Sequence, residues 1–276
     1  GAKRNIEAHY DLSNEFFSLF LDPTMTYSCG LFDAQSTTLE QAQIAKIDHL
    51  CRKLELGPDT HLLEVGTGWG AFALYAAREY GCRVTTTTIS TEQYAWAKKV
   101  IASAGLEDRV ELLLEDYRSL EGKYDRVVSV EMIEAVGADF LGEYFFTLGN
   151  LLKPGGMAAV QAITIQDQDF ESASRRIDFI KRYIFPGSCI PSVTAMCQAM
   201  TSDSDLKLVH LEDFTPHYAT TLDRWSVALQ AQHDEARAMG LDDHFLRTWE
   251  YYFRYCEGGF VERHIGLVQM MLAKPK

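Results

Sequence analysis

The sequence predicts an α/β protein built around a doubly wound, mostly parallel β-sheet. Strand-length runs of apolar or β-branched residues alternate with longer segments whose apolar residues recur at helical spacing. The connections between these segments are short, and no internal repeat or low-complexity linker divides the chain. We therefore expect residues 1–276 to form a single domain with one large sheet.

The predicted elements up to residue 165 place a helix between most pairs of strands. The first helix has apolar residues at helical spacing and ends at Gly57-Pro58, a pair that terminates helices. The series is a helix at 39–56, a strand at 61–65, a glycine-rich turn at 66–70, a helix to about residue 80, a β-branched strand at 83–89, a helix at 91–103, strands at 109–114 and 125–130, a helix at 139–153 and a strand at 157–165.

The remainder of the chain is predicted to complete the sheet and to add two insertions. Lys153-Pro154-Gly155-Gly156 is expected to form the turn before the strand at 157–165. After it come a segment at 166–205, a strand near 206–211, two helices within 220–257 and a final strand at 265–272. The stretches between the strands are where a substrate site would be built.

The composition excludes several classes of protein. With 26 basic and 39 acidic residues the formal charge is −13, which argues against nucleic acid as a partner. The apolar runs are far shorter than the ~20 residues that span a bilayer, and we expect no signal peptide, because residues 1–30 show no basic segment followed by an apolar one. The six cysteines include no C-x-x-C pair and no zinc spacing, so we expect no metal site and a reduced, cytoplasmic setting.

The glycine-rich turn is the first motif that carries chemistry. It reads Gly66-Thr67-Gly68-Trp69-Gly70, which is G-x-G-x-G rather than the pyrophosphate-binding G-x-G-x-x-G. Thr88 stands where an acid would bind the ribose of NAD, so NAD is disfavoured. An acid just before the first glycine, here Glu64, is typical of S-adenosylmethionine-dependent methyltransferases.

This pattern predicts the residues that would contact S-adenosylmethionine. The turn would face the methionine part, and the ends of the next two strands would face the adenosine. The residues concerned are Glu64, Gly66, Gly68 and Gly70 at the turn, Thr88 and Gln93 near the ribose, and Asp116 and Tyr117 near the adenine. Ordinary polarity at a strand end remains an alternative for Thr88 and Gln93.

Longer motifs across nearly the whole chain resemble the cyclopropane fatty acid synthase family. That family includes mycolic acid cyclopropane synthases and fatty acid C-methyltransferases. The stretches that carry the resemblance include HYDLSNEFFSLFLDPTMTYSCGLF (9–32), LLEVGTGWG (62–70), YDRVVSVEMIEAVG (124–137), FIKRYIFPGSCIPS (179–192), PHYATTLDRW (216–225) and YYFRYCEGGF (251–260).

The resemblance implies a fold and a division of the chain. The fold is that of a class I methyltransferase, Rossmann-like, with seven strands of which the last is antiparallel. Residues 1–57 would form an N-terminal helical cap, 58–165 the cofactor-binding core, and 166–205 and 214–262 insertions that build an acyl-chain site.

The resemblance also implies the reaction. A methyl group passes from S-adenosylmethionine to the cis double bond of an acyl chain, and a bound bicarbonate removes a proton from the resulting carbocation as the cyclopropane ring closes. Cys29, Glu134, the backbone of Ile163 and Tyr252 would surround the bicarbonate, while Tyr27 and Ser28 would contact the cofactor. His9 and Tyr10 lie in the opening motif, with a structural or a cofactor-covering role.

One position departs from the family pattern. Many members carry a histidine that contacts bicarbonate where this chain has Gln161. Glutamine can donate a hydrogen bond but cannot take a positive charge. We therefore expect Gln161 to hold bicarbonate by a hydrogen bond.

The favoured substrate is an unsaturated phospholipid, reached by transient contact with the inner membrane surface. Arg175, Arg176, Lys181 and Arg182 lie within eight residues of an otherwise acidic chain and could hold a headgroup, or they could form a solvated helix face. The alternatives are a methyl- or methylene-branched product, a small-molecule methyltransferase, and an acyl-chain binding protein without activity. The sequence leaves a homodimer open.

Overall fold

The computed structural model describes residues 13–34 and 37–276, and within them seven strands form one sheet. The predictions on His9 and Tyr10 lie outside the described residues. The strands are β1 (His61–Val65), β2 (Arg83–Thr88), β3 (Val110–Leu114), β4 (Tyr124–Val130), β5 (Leu152–Ile165), β6 (Lys207–Asp213) and β7 (Ile265–Ala273).

The strand order confirms the predicted doubly wound sheet. Across the sheet the strands lie in the order β3, β2, β1, β4, β5, β7, β6. Neighbouring strands from β3 to β5 are parallel, whereas β7 runs antiparallel to β5 and to β6. The chain reverses its direction of travel across the sheet between β1 and β4, and such a switch point opens a crevice at the carboxyl ends of the strands.

Helices cover both faces of the sheet and form the insertions. Several begin at a side-chain cap, as α2 does, where Thr38 and Gln41 form a reciprocal capping box. The helices are α1 (Asn14–Ser18), α2 (Leu39–Lys53), α3 (Ala71–Tyr80), α4 (Thr91–Ser103), α5 (Leu141–Leu151), α6 (Asp167–Arg175), α7 (Phe179–Tyr183), α8 (Val193–Asp203), α9 (Thr215–Ala231), α10 (His233–Ala238) and α11 (Asp243–Val261).

Two predictions about local structure were wrong. The predicted turn at residues 153–156 lies within β5, which begins at Leu152; the pairing with β4 shifts register there and absorbs the extra residues, with Gly155 at a φ of 75°. The two helices predicted within 220–257 are three, because the chain breaks after Ala231 and again before Asp243, where Asp242 caps a new helix.

Three hydrophobic clusters hold the fold together. Two of them fill the spaces between the sheet and its covering helices. The third is aromatic and lies where α1, α9 and α11 meet, with Phe16, Phe17 and Trp225 almost fully buried. None of the described helices is both long enough and apolar enough to cross a membrane. The aromatic cluster adjoins a cavity at the carboxyl ends of the strands.

Candidate active site

A cavity lies at the carboxyl ends of β1, β2 and β4, in the crevice that the strand order predicts. Its walls also include the segment after α1 and two residues of α2, Lys46 and Ile47. Nine of the ten predicted cofactor residues line it: Tyr27, Ser28, Glu64, Gly66, Gly68, Thr88, Gln93, Asp116 and Tyr117.

The glycine turn has a backbone that only glycine adopts readily. Gly66 has a φ of 101° and Gly68 a φ of 53°. A methyl group on Gly68 would meet no protein atom within 4 Å. Gly70, by contrast, begins α3 at a φ of 98° and packs against Ala97 of α4, so its role is to pack the helix rather than to line the cavity.

Glu64 is a buried carboxylate at the end of β1. Its Oε2 accepts a hydrogen bond of 2.6 Å from the hydroxyl of Thr86. Burial raises the pKa of Glu64 to about 8, although the Thr86 hydroxyl and the charge of Lys46 lower it. A carboxyl group in this state can accept hydrogen bonds from the donors of a ligand in the cavity.

Polar side chains stand at the carboxyl end of β2 and just after β3, and each forms a hydrogen bond with a polar neighbour. The Thr88 hydroxyl donates to Gln93 Oε1 at 2.9 Å, and both residues are buried. The carboxylate of Asp116 is held by the Arg118 guanidinium at 2.6 and 2.9 Å, which lowers the pKa of Asp116. Hydroxyl and amide groups at these positions match the hydrogen-bonding groups of a ribose and a purine.

Lys46 is a functional candidate that the sequence analysis missed. It lines the cavity with a side chain that is 1% exposed, and its Nζ donates to Ser28 Oγ at 2.7 Å. Burial lowers the pKa of Lys46, while the nearby carboxylates of Glu131 and Glu64 raise it. A buried ammonium group beside Ser28 gives this wall of the cavity a positive charge.

The cavity fits the cofactor that the turn predicts. Gly68 opens toward free space, Glu64 is an acceptor, and Thr88 with Gln93 provides hydroxyl and amide groups. An amino acid joined to a nucleoside needs acceptors for its ammonium group, a cation for its carboxylate and polar groups for its ribose. The described residues supply all three kinds of group.

Glu131 is the second residue that the sequence analysis missed. It follows β4 at a φ of 50°, a backbone conformation that is rare for residues other than glycine. Its Oε1 accepts from the backbone N–H of Cys29 at 3.0 Å and from Gln161 Nε2 at 2.8 Å, and its Oε2 accepts from the Tyr218 hydroxyl at 2.6 Å. Glu131 also lines the cavity.

The side chain of Gln161 is fully buried behind Glu131. Besides donating to Glu131, it accepts from Gln269 Nε2 at 2.9 Å, and Gln269 Oε1 in turn accepts from Lys53 Nζ at 3.1 Å. Both ends of the Gln161 amide are therefore engaged within the protein. The expected contact of Gln161 with bicarbonate stays a prediction.

Glu134 and Ile163, predicted as neighbours, are joined directly. Glu134 Oε1 accepts from the Ile163 backbone N–H at 2.5 Å, while Oε2 is buried without a hydrogen-bond partner in residues 13–34 and 37–276. Burial, and then the charge of Glu131, raises the pKa of Glu134 to about 8. Glu134 therefore holds its proton at neutral pH.

The sequence predicted Tyr252 as the tyrosine near the bicarbonate, but the tyrosine that contacts Glu131 is Tyr218. The Tyr252 hydroxyl lies 3.1 Å from that of Tyr27, within the aromatic cluster, whereas Tyr218 contacts Glu131. The signal for Tyr218 was present in the sequence, since it belongs to the PHYATTLDRW stretch. The thiol of Cys29 is fully buried, and burial raises its pKa well above the usual range, so it is a neutral group here.

Comparison with known proteins decides the family. The model of the mycolic acid cyclopropane synthetase family matches residues 1–270. The chain belongs to this family. In solved structures, the mycolic acid cyclopropane synthase CmaA1 complexed with SAH and CTAB superposes with a TM-score of 0.92 and 33% identity, over 99% of this chain and 98% of that one. The family and the sheet are those of S-adenosylmethionine-dependent methyltransferases.

Two sequence relatives show the range of the cyclopropane synthetase family. The chain is 41% identical over 280 residues to tuberculostearic acid methyltransferase of Mycobacterium tuberculosis, covering 99% of this chain and 65% of that protein. It is 37% identical over 267 residues to cyclopropane-fatty-acyl-phospholipid synthase of Escherichia coli, covering 96% of this chain and 66% of that protein. The chain thus spans about two thirds of the length of both relatives.

Proposed function

We propose that this protein transfers a methyl group from S-adenosylmethionine to the cis double bond of an unsaturated fatty acyl chain and closes a cyclopropane ring. One observation carries the proposal: an aromatic cluster adjoins the cofactor cavity, and Tyr27 belongs to both. The Tyr27 ring lies 5.3 Å from that of Phe17 and 5.1 Å from that of Trp225. Bound S-adenosylmethionine supplies an electrophilic methyl group to this boundary.

The aromatic cluster suits the intermediate of such a reaction. Addition of a methyl group to an alkene leaves a carbocation, which is stabilised by the π faces of aromatic rings and destroyed by water. Phe185 lies 5.7 Å from Tyr252 and 6.4 Å from Tyr27, so aromatic rings continue from the cavity toward α7. The same apolar side chains would accommodate an acyl chain.

Ring closure also requires a proton acceptor near the carbocation. The resemblance to cyclopropane fatty acid synthases implies bicarbonate, with Cys29, Glu134 and Ile163 around it. The orphaned Oε2 of Glu134 supports an acceptor or donor contact at this place. A carboxylate of the protein is the alternative acceptor.

We further propose that the acyl chain belongs to a phospholipid and enters from an exposed aromatic patch on α7 and α11. Tyr183 and Tyr251 are 59% and 53% exposed and both pack against Phe179, at ring distances of 5.5 and 4.7 Å. The neighbouring Ile177 is 79% exposed. Tyrosine beside exposed apolar residues is typical of side chains at a membrane interface.

Basic residues border this aromatic patch. The guanidinium of Arg182 lies 5.5 Å from the ring centre of Tyr183, and Arg176 is exposed next to Ile177. Arg175 pairs with Glu171 and Lys181 donates to backbone carbonyls, so these two are partly engaged. A small basic border of this kind favours brief contact with anionic lipid rather than stable attachment.

The experiment that tests the function uses trideuterated S-adenosylmethionine and vesicles of monounsaturated phosphatidylglycerol. We expect S-adenosylhomocysteine and acyl chains enlarged by one deuterated methylene unit. Proton NMR then separates a cyclopropane from a methylene-branched isomer of the same mass. Release of S-adenosylhomocysteine only with polar acceptors, and none with lipid, would show a small-molecule methyltransferase instead.

A methyl-branched product is a second candidate. The 41% identity to tuberculostearic acid methyltransferase favours it. A saturated branch needs a hydride donor after methyl transfer, so its formation would depend on an added reductant, whereas ring closure would not. Mass spectrometry with and without a reduced nicotinamide cofactor separates the two outcomes.

A further inference from the structure

Two of the groups predicted to contact bicarbonate, the backbone of Cys29 and the amide of Gln161, contact a carboxylate of the protein instead. The Cys29 backbone N–H and the Gln161 amide both donate to Glu131 Oε1, and the Tyr218 hydroxyl donates to Oε2. A carboxylate and a bicarbonate ion present the same pair of planar, anionic oxygens to such donors. Glu131 thus engages two of the donors that an added anion would use, and Tyr218 is a third donor to it.

We infer that Glu131 is the general base that takes the proton during ring closure, in place of bicarbonate. The inference rests on the proposed function. Glu131 lines the cofactor cavity, and its φ of 50° turns it off the end of β4 into this ring of donors. Strained backbone of this kind is retained where a site requires it.

The donor chain behind Glu131 fixes the orientation of every amide in it. A lysine ammonium can only donate, so the oxygen of Gln269 must face Lys53. The Gln269 nitrogen then faces the oxygen of Gln161, and the Gln161 nitrogen faces Glu131. Glu131 Oε1 therefore receives two N–H groups and cannot carry a proton of its own.

The remaining acceptor capacity of Glu131 lies on Oε2. Each carboxylate oxygen accepts about two hydrogen bonds. Oε1 is saturated by Cys29 and Gln161, whereas Oε2 has one known donor, the Tyr218 hydroxyl. Burial raises the pKa of Glu131 while these donors and Lys46 lower it, which leaves a carboxylate more basic than an exposed one.

The step balances in atoms and electrons. The sulfur–methyl bond breaks with its electron pair left on sulfur, and the π pair of the alkene forms a new carbon–carbon bond to the methyl carbon. One C–H bond of that methyl group then breaks, and its electron pair forms the bond that closes the ring. The proton goes to Glu131 Oε2 and is released to solvent after the product leaves.

A second anion at this place would be unfavourable. Bicarbonate would lie beside the charge of Glu131, on which the buried ammonium group of Lys46 already acts. Two like charges in a desolvated site repel strongly. Glu134 already feels this repulsion, because the charge of Glu131 adds to burial in raising its pKa.

The first test needs no variant. Ring formation by the full chain is measured with vesicles of monounsaturated phosphatidylglycerol in carbon-dioxide-free buffer, and again after bicarbonate is added. We expect equal rates. A rate that falls without bicarbonate and recovers with it would overturn the inference while leaving the proposed function intact, whereas no lipid product under either condition would refute the proposed function itself.

The second test removes the carboxylate. In Glu131→Gln we expect ring formation to fall about 100-fold or more, as for loss of a general base. S-adenosylhomocysteine should form in excess over ring product, because methyl transfer would continue while the carbocation is lost to other products. Glu79→Gln, on the exposed end of α3, is the matched control for loss of one carboxylate.

The third test asks whether added bicarbonate can replace the carboxylate of Glu131. Glu131→Gly removes the side chain and leaves the donors of Cys29, Gln161 and Tyr218 around the space. We expect bicarbonate to raise ring formation in this variant and not in the natural protein. Equal stimulation of both, or ring formation by Glu131→Gln at the natural rate, would show that Glu131 is not the base.

Discussion

The hydroxyl of Tyr218 lies 2.6 Å from the carboxylate of Glu131, although 87 residues separate them in the sequence. Tyr218 comes from α9, in the second insertion, and Glu131 from the end of β4 in the sheet. The Tyr218 ring is also stacked on Phe260 at 4.4 Å. This bond therefore links helix α9 to the end of strand β4.

Removal of the Tyr218 hydroxyl should slow ring closure and leave cofactor binding intact. Tyr218→Phe keeps the stack on Phe260 and loses one hydrogen bond to a charged group, equivalent to a decrease of about 10- to 100-fold. We expect the decrease in kcat, with the KM for S-adenosylmethionine unchanged. Tyr94→Phe, on α4 and away from the cavity lining, is the control, and equal rates for the two variants would refute the assignment.

The orientation of the Gln161 and Gln269 amides behind Glu131 should affect the pKa of Glu131. Gln269→Leu leaves the oxygen of Gln161 buried without a donor, which costs about 1–3 kcal/mol of folding stability. Because Gln161 can then rotate, we expect the acid limb of the pH profile of kcat to move to higher pH. Gln230→Leu on the exposed face of α9 serves as control, and a pH profile identical to that of the natural protein would count against positioning.

Several titratable groups near Glu131 contribute to the acid limb of the pH profile of kcat. The titratable groups that act on Glu131 are Cys29, Lys46, Glu134 and Tyr218. Cys29 and Tyr218 stay neutral because burial raises their pKa values well above the usual range. Repeating the profile in Glu134→Gln and in Glu64→Gln removes the two other buried carboxyls at the site, so a limb that persists in both variants belongs to Glu131.

Lys46 should stabilise the fold more near pH 8, where Glu64 begins to be charged and Lys46 still holds its proton, than in acid. Lys46→Met removes the hydrogen bond from Nζ to Ser28 and the positive charge that acts on Glu64 and Glu131, a loss of about 1–3 kcal/mol when both carboxylates are charged. Below about pH 6 Glu64 keeps its proton and the loss should be smaller, since its pKa is about 8. Urea unfolding below about pH 6 and near pH 8 measures the difference, and Lys46→Arg, which keeps the charge, is the control.

The pKa of Glu64 predicts how the stability of the ligand-free protein depends on pH. Its folded pKa of about 8 lies above the unfolded value, so the folded state binds more protons between about pH 4.5 and about 8. Stability is therefore lost as the pH rises through this window. We expect a shallower decline of Tm in Glu64→Gln; a decline as steep as in the natural protein would show that Glu64 titrates normally. Glu134 titrates in the same direction, so some decline remains.

Charge reversal in the basic border should weaken lipid contact. In Arg176→Glu with Arg182→Glu we expect less binding to phosphatidylglycerol vesicles and less activity on them. Activity on dispersed monounsaturated acyl chains in detergent should be unchanged, because the cavity is intact. Lys98→Glu with Lys99→Glu on α4 changes the net charge equally and should have no effect. If an acyl chain on an acidic carrier protein is the true substrate, only the reaction with that carrier would respond.

The sheet could be predicted because its signals are local. Apolar periodicity, the β-branched run of β2 and glycine at positive φ each act within a few residues, so β1 and α4 were placed with their observed bounds. The site was harder, because Glu131 and Glu134 are two acids in one short run. Only the backbone conformation at Glu131 decides which of them faces Cys29 and Tyr218.

The sequence by itself determined the class of sheet, the glycine turn and many of the residues that line the cavity, because each depends on short-range patterns and on strand ends that meet at one edge. Only the tertiary structure decided that Glu131 lies among the donors of Cys29, Gln161 and Tyr218, and that Lys53 orients that set through Gln269. These contacts join segments that are distant in the chain. Their distances depend on how the insertions pack against the sheet, which local pattern does not specify.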